Sequence, residues 1–217
     1  MKLKSLLLLI LLIWSCQKKS EEARKPEPKK IEKISFKSIT DEIVSKAVLY
    51  EANIRQYSDE GSFNSFTADL NEIKKMGVKI IWLMPINPIS TTKSKGPLGS
   101  YYAVSDYTKV NPEFGTLEDF KFLVDKAHKL GMYVILDWVP GHTGWDHLWI
   151  NEHSDYYLKN RKGDIIDPID FRTGKSFGWT DVADLDYNNM EMREDLRKAM
   201  IYWVNEANID GYRIDQA

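Results

Sequence analysis

Val78-Lys79-Ile80-Ile81-Trp82-Leu83-Met84-Pro85-Ile86, preceded by Gly77, is almost continuously apolar and rich in β-branched residues. A strand open to water on one face alternates polar and apolar residues. This one does not, so it reads as buried on both faces, as in a parallel sheet covered by helices. Outward from it, Ala47–Ile54 (AVLYEANI), Met132–Asp137 (MYVILD) and Ile209–Asp215 (IDGYRID) have the same character and are expected to be strands. Helical patterns separate them: Phe66–Met76 closed by Gly77, Leu117–Leu130 closed by Gly131, and Met190–Ala207. A glycine just past a helix is a natural left-handed stop. The order βαβαβαβ predicts an α/β fold built on a parallel sheet.

Composition agrees. The 217 residues are 43% hydrophobic and 12% aromatic, which excludes a fibrous or disordered chain. Thirty Lys and Arg against 32 Asp and Glu give a net charge of −2. No basic helix face stands out beyond the N-terminal tail, so binding of nucleic acid by phosphate neutralisation is not expected.

The connections are unequal. Helix-to-strand joints are nearly absent, whereas the segments after the second and third strands run from Pro85 to Thr116 and from Trp138 to about Asn188. Both leave the C-terminal edge of the sheet, where barrel and open α/β folds carry their chemistry. Arg55-Gln56-Tyr57 follows the first strand in place of a glycine-rich phosphate loop, which removes the main support for a nucleotide site.

Three clusters fall at that edge. Gly99–Tyr107 (GSYYAVSDY) gathers tyrosines that either pack the loop or offer flat faces to a ligand. Asp137-Trp138-Val139-Pro140-Gly141-His142 places an acid at a strand end, where it needs a partner, either a backbone N–H or a functional group. In Gly211-Tyr212-Arg213-Ile214-Asp215, residues two apart share a face, so Arg213 and Asp215 point the same way. A guanidinium beside a carboxylate favours its charged form, which suits a nucleophile; a structural ion pair is the alternative.

At the N-terminus, Lys2 and Lys4 precede an apolar run from Leu6 to Trp14, too short to span a membrane, so residues 1–15 read as an export leader. The single cysteine, Cys16, follows directly and resembles the lipidated residue of a bacterial lipoprotein box. Residues 16–40 are then a polar, disordered tether rich in Lys, Glu, Ser and Pro, and residues 41–217 form the folded domain. This implies a bacterial cell-envelope protein anchored to the membrane by lipid, periplasmic or surface-exposed. Ordinary secretion with an unpaired thiol is the alternative.

Together, in this order, the motifs resemble the α-amylase family of glycoside hydrolases over roughly Ala47–Ala217. AVLYEANIRQYS is similar to the family's first strand, GVKIIWLMPINPI to its second, DWVPGH to the motif Asp-x-Val-x-Asn-His, and GYRID to Gly-x-Arg-x-Asp. The resemblance implies a parallel (β/α)8 TIM barrel, represented by its first four strands and three helices. It implies a retaining glycosidase or transglycosidase acting on α-1,4-linked glucans such as maltooligosaccharides. Asp215 would be the catalytic nucleophile, held by Arg213; His142 would bond a sugar hydroxyl, Tyr102 would stack on the sugar ring, and Asp137 would be structural.

Asp184, in Val182-Ala183-Asp184-Leu185, resembles a position that ligates a structural calcium in many members. Gly141 replaces the usual Asn ligand, so no metal is expected, and Asn87 replaces a common His. The family's general acid, a Glu on a fifth strand about 5 to 5.5 Å from the nucleophile, and a further Asp on a seventh both fall past Ala217. The expectation is the N-terminal half of a longer enzyme, inactive alone, with a non-catalytic glucan-binding protein on the same fold as the alternative.

Overall fold

A computed structural model describes residues 39–216; the leader, Cys16 and the tether up to residue 38 lie outside the described residues. Strands β1 (Val48–Ala52), β2 (Val78–Leu83), β3 (Tyr133–Trp138) and β4 (Gly211–Ile214) form one parallel sheet in that order. Sequential order and common direction are what adjacent strands of a (β/α)8 barrel show. Among the described residues no helix is long and apolar enough to cross a membrane.

The helices follow their caps. The stretch predicted as one helix over Phe66–Met76 is two, α1 (Phe63–Ala68) and α2 (Leu70–Lys75), meeting at Asp69. It begins early because Ser62 is the N-cap, its Oγ accepting from the Ser65 N–H at 3.1 Å. Helix α3 (Leu117–Lys129) opens on a Thr116–Asp119 capping box. Gly77 (φ +88°) and Gly131 (φ +75°) take the left-handed conformation their positions required. Helix α4 (Met190–Ala207) ends instead on Asn208 at φ +55°, the residue type that best tolerates this region after glycine.

Register divides the sheet into two faces. Trp82 pairs with Ile135, Ile135 with Gly211, and Asp137 with Arg213, and paired residues of parallel strands share a face. The opposite face carries Ile81, Leu83, Val134, Leu136 and Trp138. These pack with Phe63, Phe66 and Leu70 and with Phe120 and Leu123 of α3 into the main core, all essentially solvent-free. Each such side chain contributes roughly 1.5–3 kcal/mol by leaving water. The apolar residues thus fix the helix-covered face, and the polar strand-end residues fall together on the other.

Two polar devices set the strand ends. Asp210 Oδ2 accepts from the Val134 N–H at 2.7 Å and is hydrogen-bonded to His128 Nε2 at 2.8 Å, locking the entry to β4 against β3 and α3. Asn87 turns its amide toward the carbonyls of Asp106, Tyr107 and Lys109, each at 3.1 Å, and so gathers the long loop after β2. Over that loop lies an antiparallel pair of short strands, His142–Gly144 and Val182–Asp184. A Cβ on Gly144 would overlap the Ser90 side chain and stand 3.1 Å from the Ala103 carbonyl, so only glycine permits this approach.

Candidate active site

The site grows from Asp137, the fifth residue of β3, whose side chain is fully buried. Its Oδ2 accepts from Trp82 Nε1 at 3.1 Å and from the Tyr102 hydroxyl at 3.3 Å, and Arg213 Nη1 donates to its Oδ1 at 3.0 Å. The same Arg213 nitrogen donates to Asp215 Oδ1 at 2.8 Å, so one guanidinium bridges both carboxylates. The guanidinium carbon also lies 5.0 Å from the centre of the Trp82 ring, a cation–π contact that fixes its plane. Burial pushes the Asp137 carboxyl above its usual range and the charge of Asp215 adds to this, while Arg213 and the Trp82 N–H oppose it.

Asp215 is the first residue after β4, and its N–H donates to the Trp138 carbonyl at 2.8 Å. Tyr102, His142 and Asp215 line a single cleft of about 390 Å³, which Ser100, Trp179 and Asp181 also border. Arg213 stands behind Asp215, so the four residues singled out from the sequence come together. Burial, reinforced by the charges of Asp137 and Asp215, pushes the Tyr102 hydroxyl up to about 12, so it remains a donor at neutral pH. Burial pushes the His142 imidazole down, against Asp215, Asp181 and a hydrogen bond to the Tyr102 backbone. His142 is therefore neutral at pH 7, with a hydrogen-bonding ring and no full charge.

The sequence did not single out Trp82, Trp179, Lys95 or Asp181. Trp82 had a signal: a bulky aromatic at the penultimate position of β2, on the face that Asp137 and Arg213 share. The other three meet only through loop folding, with Lys95 Nζ 3.0 Å from Asp181 Oδ1.

The Gly141 carbonyl accepts from the Leu185 N–H at 3.0 Å, at the start of the short antiparallel pair that carries Asp184. Asp184 is a buried carboxyl pushed up to about 6 by burial, with Asp167 and Asp186 adding to the shift. His147 is buried too, and desolvation lowers it to about 4 against the charges of Asp106 and Asp146.

These two shifts carry opposite slopes. The folded state holds a proton on Asp184 that the unfolded chain releases, so stability from Asp184 falls as pH rises from about 4 to 6. His147 is neutral when folded, and its contribution is lost as pH falls from about 6.5 to 4. Each is worth on the order of 3 kcal/mol, and over the shared window they offset one another. Asp184→Asn is expected to unmask the histidine: Tm drops more steeply between pH 6.5 and 4.5 in the variant than in the parent. Parallel Tm profiles would contradict the buried carboxyl.

Residues 33–217 match the family profile of the α-amylase catalytic domain. Alpha-amylase 3 of Dictyoglomus thermophilum is 30% identical over 189 residues, covering 79% of this chain and 36% of that protein. An α-amylase crystal structure from Lactobacillus plantarum superposes with TM-score 0.72 at 42% identity, over 78% of this chain and 38% of that one. The α-amylase of Geobacillus thermoleovorans, in complex with acarbose, gives TM-score 0.64 at 31% identity, over 78% and 40%. The chain thus spans little more than a third of the length of these relatives.

Proposed function

The chain belongs to the α-amylase family of glycoside hydrolases, and from that premise we propose that it serves a retaining hydrolase of α-1,4-linked glucans with Asp215 as nucleophile. One observation carries the reading. The Arg213 nitrogen that bonds Asp215 at 2.8 Å is itself tied to the buried Asp137, while Asp215 faces the cleft lined by Tyr102 and His142.

The chemistry follows from those contacts. A carboxylate oxygen of Asp215 attacks the anomeric carbon, the bond to the leaving oxygen breaks, and a glycosyl ester forms; water later attacks the same carbon from the face the leaving group vacated, breaks the ester bond and frees the Asp215 carboxylate. Arg213 orients Asp215 through the 2.8 Å bond to its Oδ1. Asp137, held by Trp82 and Tyr102, keeps Arg213 in place. His142 hydrogen-bonds a hydroxyl of the reacting sugar, and the Tyr102 ring lies against its apolar face.

Retention requires a second carboxyl group about 5 to 5.5 Å away as acid and base. Asp137 is spent on Arg213, and Asp181 on Lys95, so neither serves. The proposal therefore assigns that role to a residue outside these four strands, and the 217 residues alone are expected to bind glucan without hydrolysing starch. The acarbose complex of the Geobacillus relative supports an oligosaccharide ligand. We further propose that Cys16 carries a lipid that holds the domain at a bacterial envelope.

An α-maltosyl fluoride tests the nucleophile separately from acid catalysis, because fluoride departs without protonation. NMR is expected to show α-configured sugar as the first product; β-configured sugar would contradict a nucleophilic Asp215. Tight maltotriose binding without fluoride release would favour the non-catalytic alternative.

A further inference from the structure

His142 is carried into the cleft by a four-residue turn, Val139-Pro140-Gly141-His142, which leaves the end of β3 and enters the short strand His142–Gly144. All four carbonyls of this turn accept from groups outside it. The Tyr107 hydroxyl lies 2.8 Å from the Val139 carbonyl oxygen and 3.0 Å from that of His142, and it shares its one hydrogen between them. The Tyr187 hydroxyl donates to the Pro140 carbonyl at 2.9 Å, and the Leu185 N–H donates to that of Gly141 at 3.0 Å. Pro140 has no N–H to give and Gly141 leaves the backbone its widest choice of shapes, so the form of the turn depends on these outside donors.

We propose that Tyr107 and Tyr187 are positioning residues for the cleavage step: their hydroxyls hold the turn from behind and, through it, hold the His142 ring against the reacting sugar. This rests on the proposed glycosidase reading. Neither tyrosine borders the cleft, so each acts only through His142. Tyr107 is the more rigid of the two. Its own carbonyl accepts from Trp203 Nε1 of α4 at 2.7 Å and from Asn87 Nδ2 at 3.1 Å, and its ring lies 5.0 Å from that of Trp138 at 32°. A helix, a loop and a strand therefore fix one buried hydroxyl beneath the turn. Tyr187 is 47% exposed, so water can take the place of its hydroxyl. Errors of about 1 Å in a group that meets the reacting sugar are felt strongly in rate, which makes the setting of the turn matter.

Double-mutant cycles with α-maltosyl fluoride test this, with a thermal melt of each variant alongside. Tyr107→Phe keeps the ring and its packing and removes only the hydroxyl. Tyr187→Phe does the same at a half-exposed position, and it decides the question if the buried change impairs folding. Tyr107→Phe is expected to lower kcat/KM about tenfold and Tyr187→Phe about threefold, the scale of a coupled contact and of a single replaceable hydrogen bond. In a His142→Ala background each change is expected to cost less than about twofold more, because the ring that the hydroxyls hold in place is gone.

A merely structural tyrosine lowers kcat/KM by the same factor whether or not the His142 ring is present. That result, or no loss in either variant, overturns the positioning role and leaves the glycosidase reading standing. A coupled loss in one variant and none in the other overturns the role for the tyrosine that shows none. A parent protein that releases no fluoride, or releases it no faster than Asp215→Asn, overturns the glycosidase reading and this inference with it.

Discussion

Asp215→Asn is expected to lower kcat/KM for α-maltosyl fluoride by at least ~10⁴-fold, the scale on which loss of a covalent nucleophile is felt, while Tm shifts by no more than a few degrees. The substitution keeps the shape and the acceptor oxygen facing Arg213 Nη1, and it leaves the bond from the residue 215 N–H to the Trp138 carbonyl intact. It removes only the charge that attacks carbon. Were Asp215 no more than a partner in an ion pair, the same change would cost about 1 kcal/mol of stability and leave the rate nearly intact. Rate assays beside thermal melts separate the two outcomes.

Arg213→Met is expected to be the costliest change to the fold of the site. Asp137 is sealed from solvent, and among the described residues Arg213 is its only ion-pair partner. Removing one member of such a pair typically costs 3–5 kcal/mol, roughly, because the other charge stays buried without compensation. The carboxyl escapes part of that cost by taking up a proton. Its folded-state affinity for protons, already raised by burial, rises further in the variant.

The sign of the pH effect follows. In the window above the unfolded carboxyl's pKa, the folded variant binds a proton that the unfolded chain does not, so stability falls as pH rises. Urea denaturation is expected to show a loss of about 3 kcal/mol or more at pH 8, and a clearly smaller loss at pH 5. A loss equal at both pH values would mean that Asp137 does not depend on the Arg213 charge.

Much of this geometry was legible in the chain, for identifiable reasons. VKIIWLMPI marked a core strand because it is almost continuously apolar and β-branched, and β2 is that strand, with Ile81 and Leu83 solvent-free on the helix-covered face and Trp82 partly exposed on the other. The spacing of two between Arg213 and Asp215 fixed a shared face, and the side chains meet at 2.8 Å. Gly77 and Gly131 marked helix ends because few other residues take positive φ without strain.

What escaped reading depends on contacts remote in sequence or on subtler caps. The break at Asp69 lies inside an unbroken apolar pattern, and α1 starts from Ser62, upstream of that pattern. Asn208 ends α4 where no glycine signals a stop. Lys95 reaches Gly178 across 83 residues, and Trp82 reaches Asp137 across 55, by loop and sheet packing that no periodicity encodes. The tyrosine cluster was ambiguous for a related reason. Tyr107 is buried against Trp138 and Trp149 as loop packing, whereas Tyr102, five residues earlier, opens onto the cleft.

The most direct measurement is covalent trapping with 5-fluoro-α-glucosyl fluoride, whose ring fluorine slows breakdown of the glycosyl ester, followed by peptide mass spectrometry of the digested protein. A single glycosyl group on Asp215, absent from Asp215→Asn, is the predicted result. A glycosyl group on Asp137, Asp181 or any other side chain, or no adduct in a protein that binds the sugar, would contradict it.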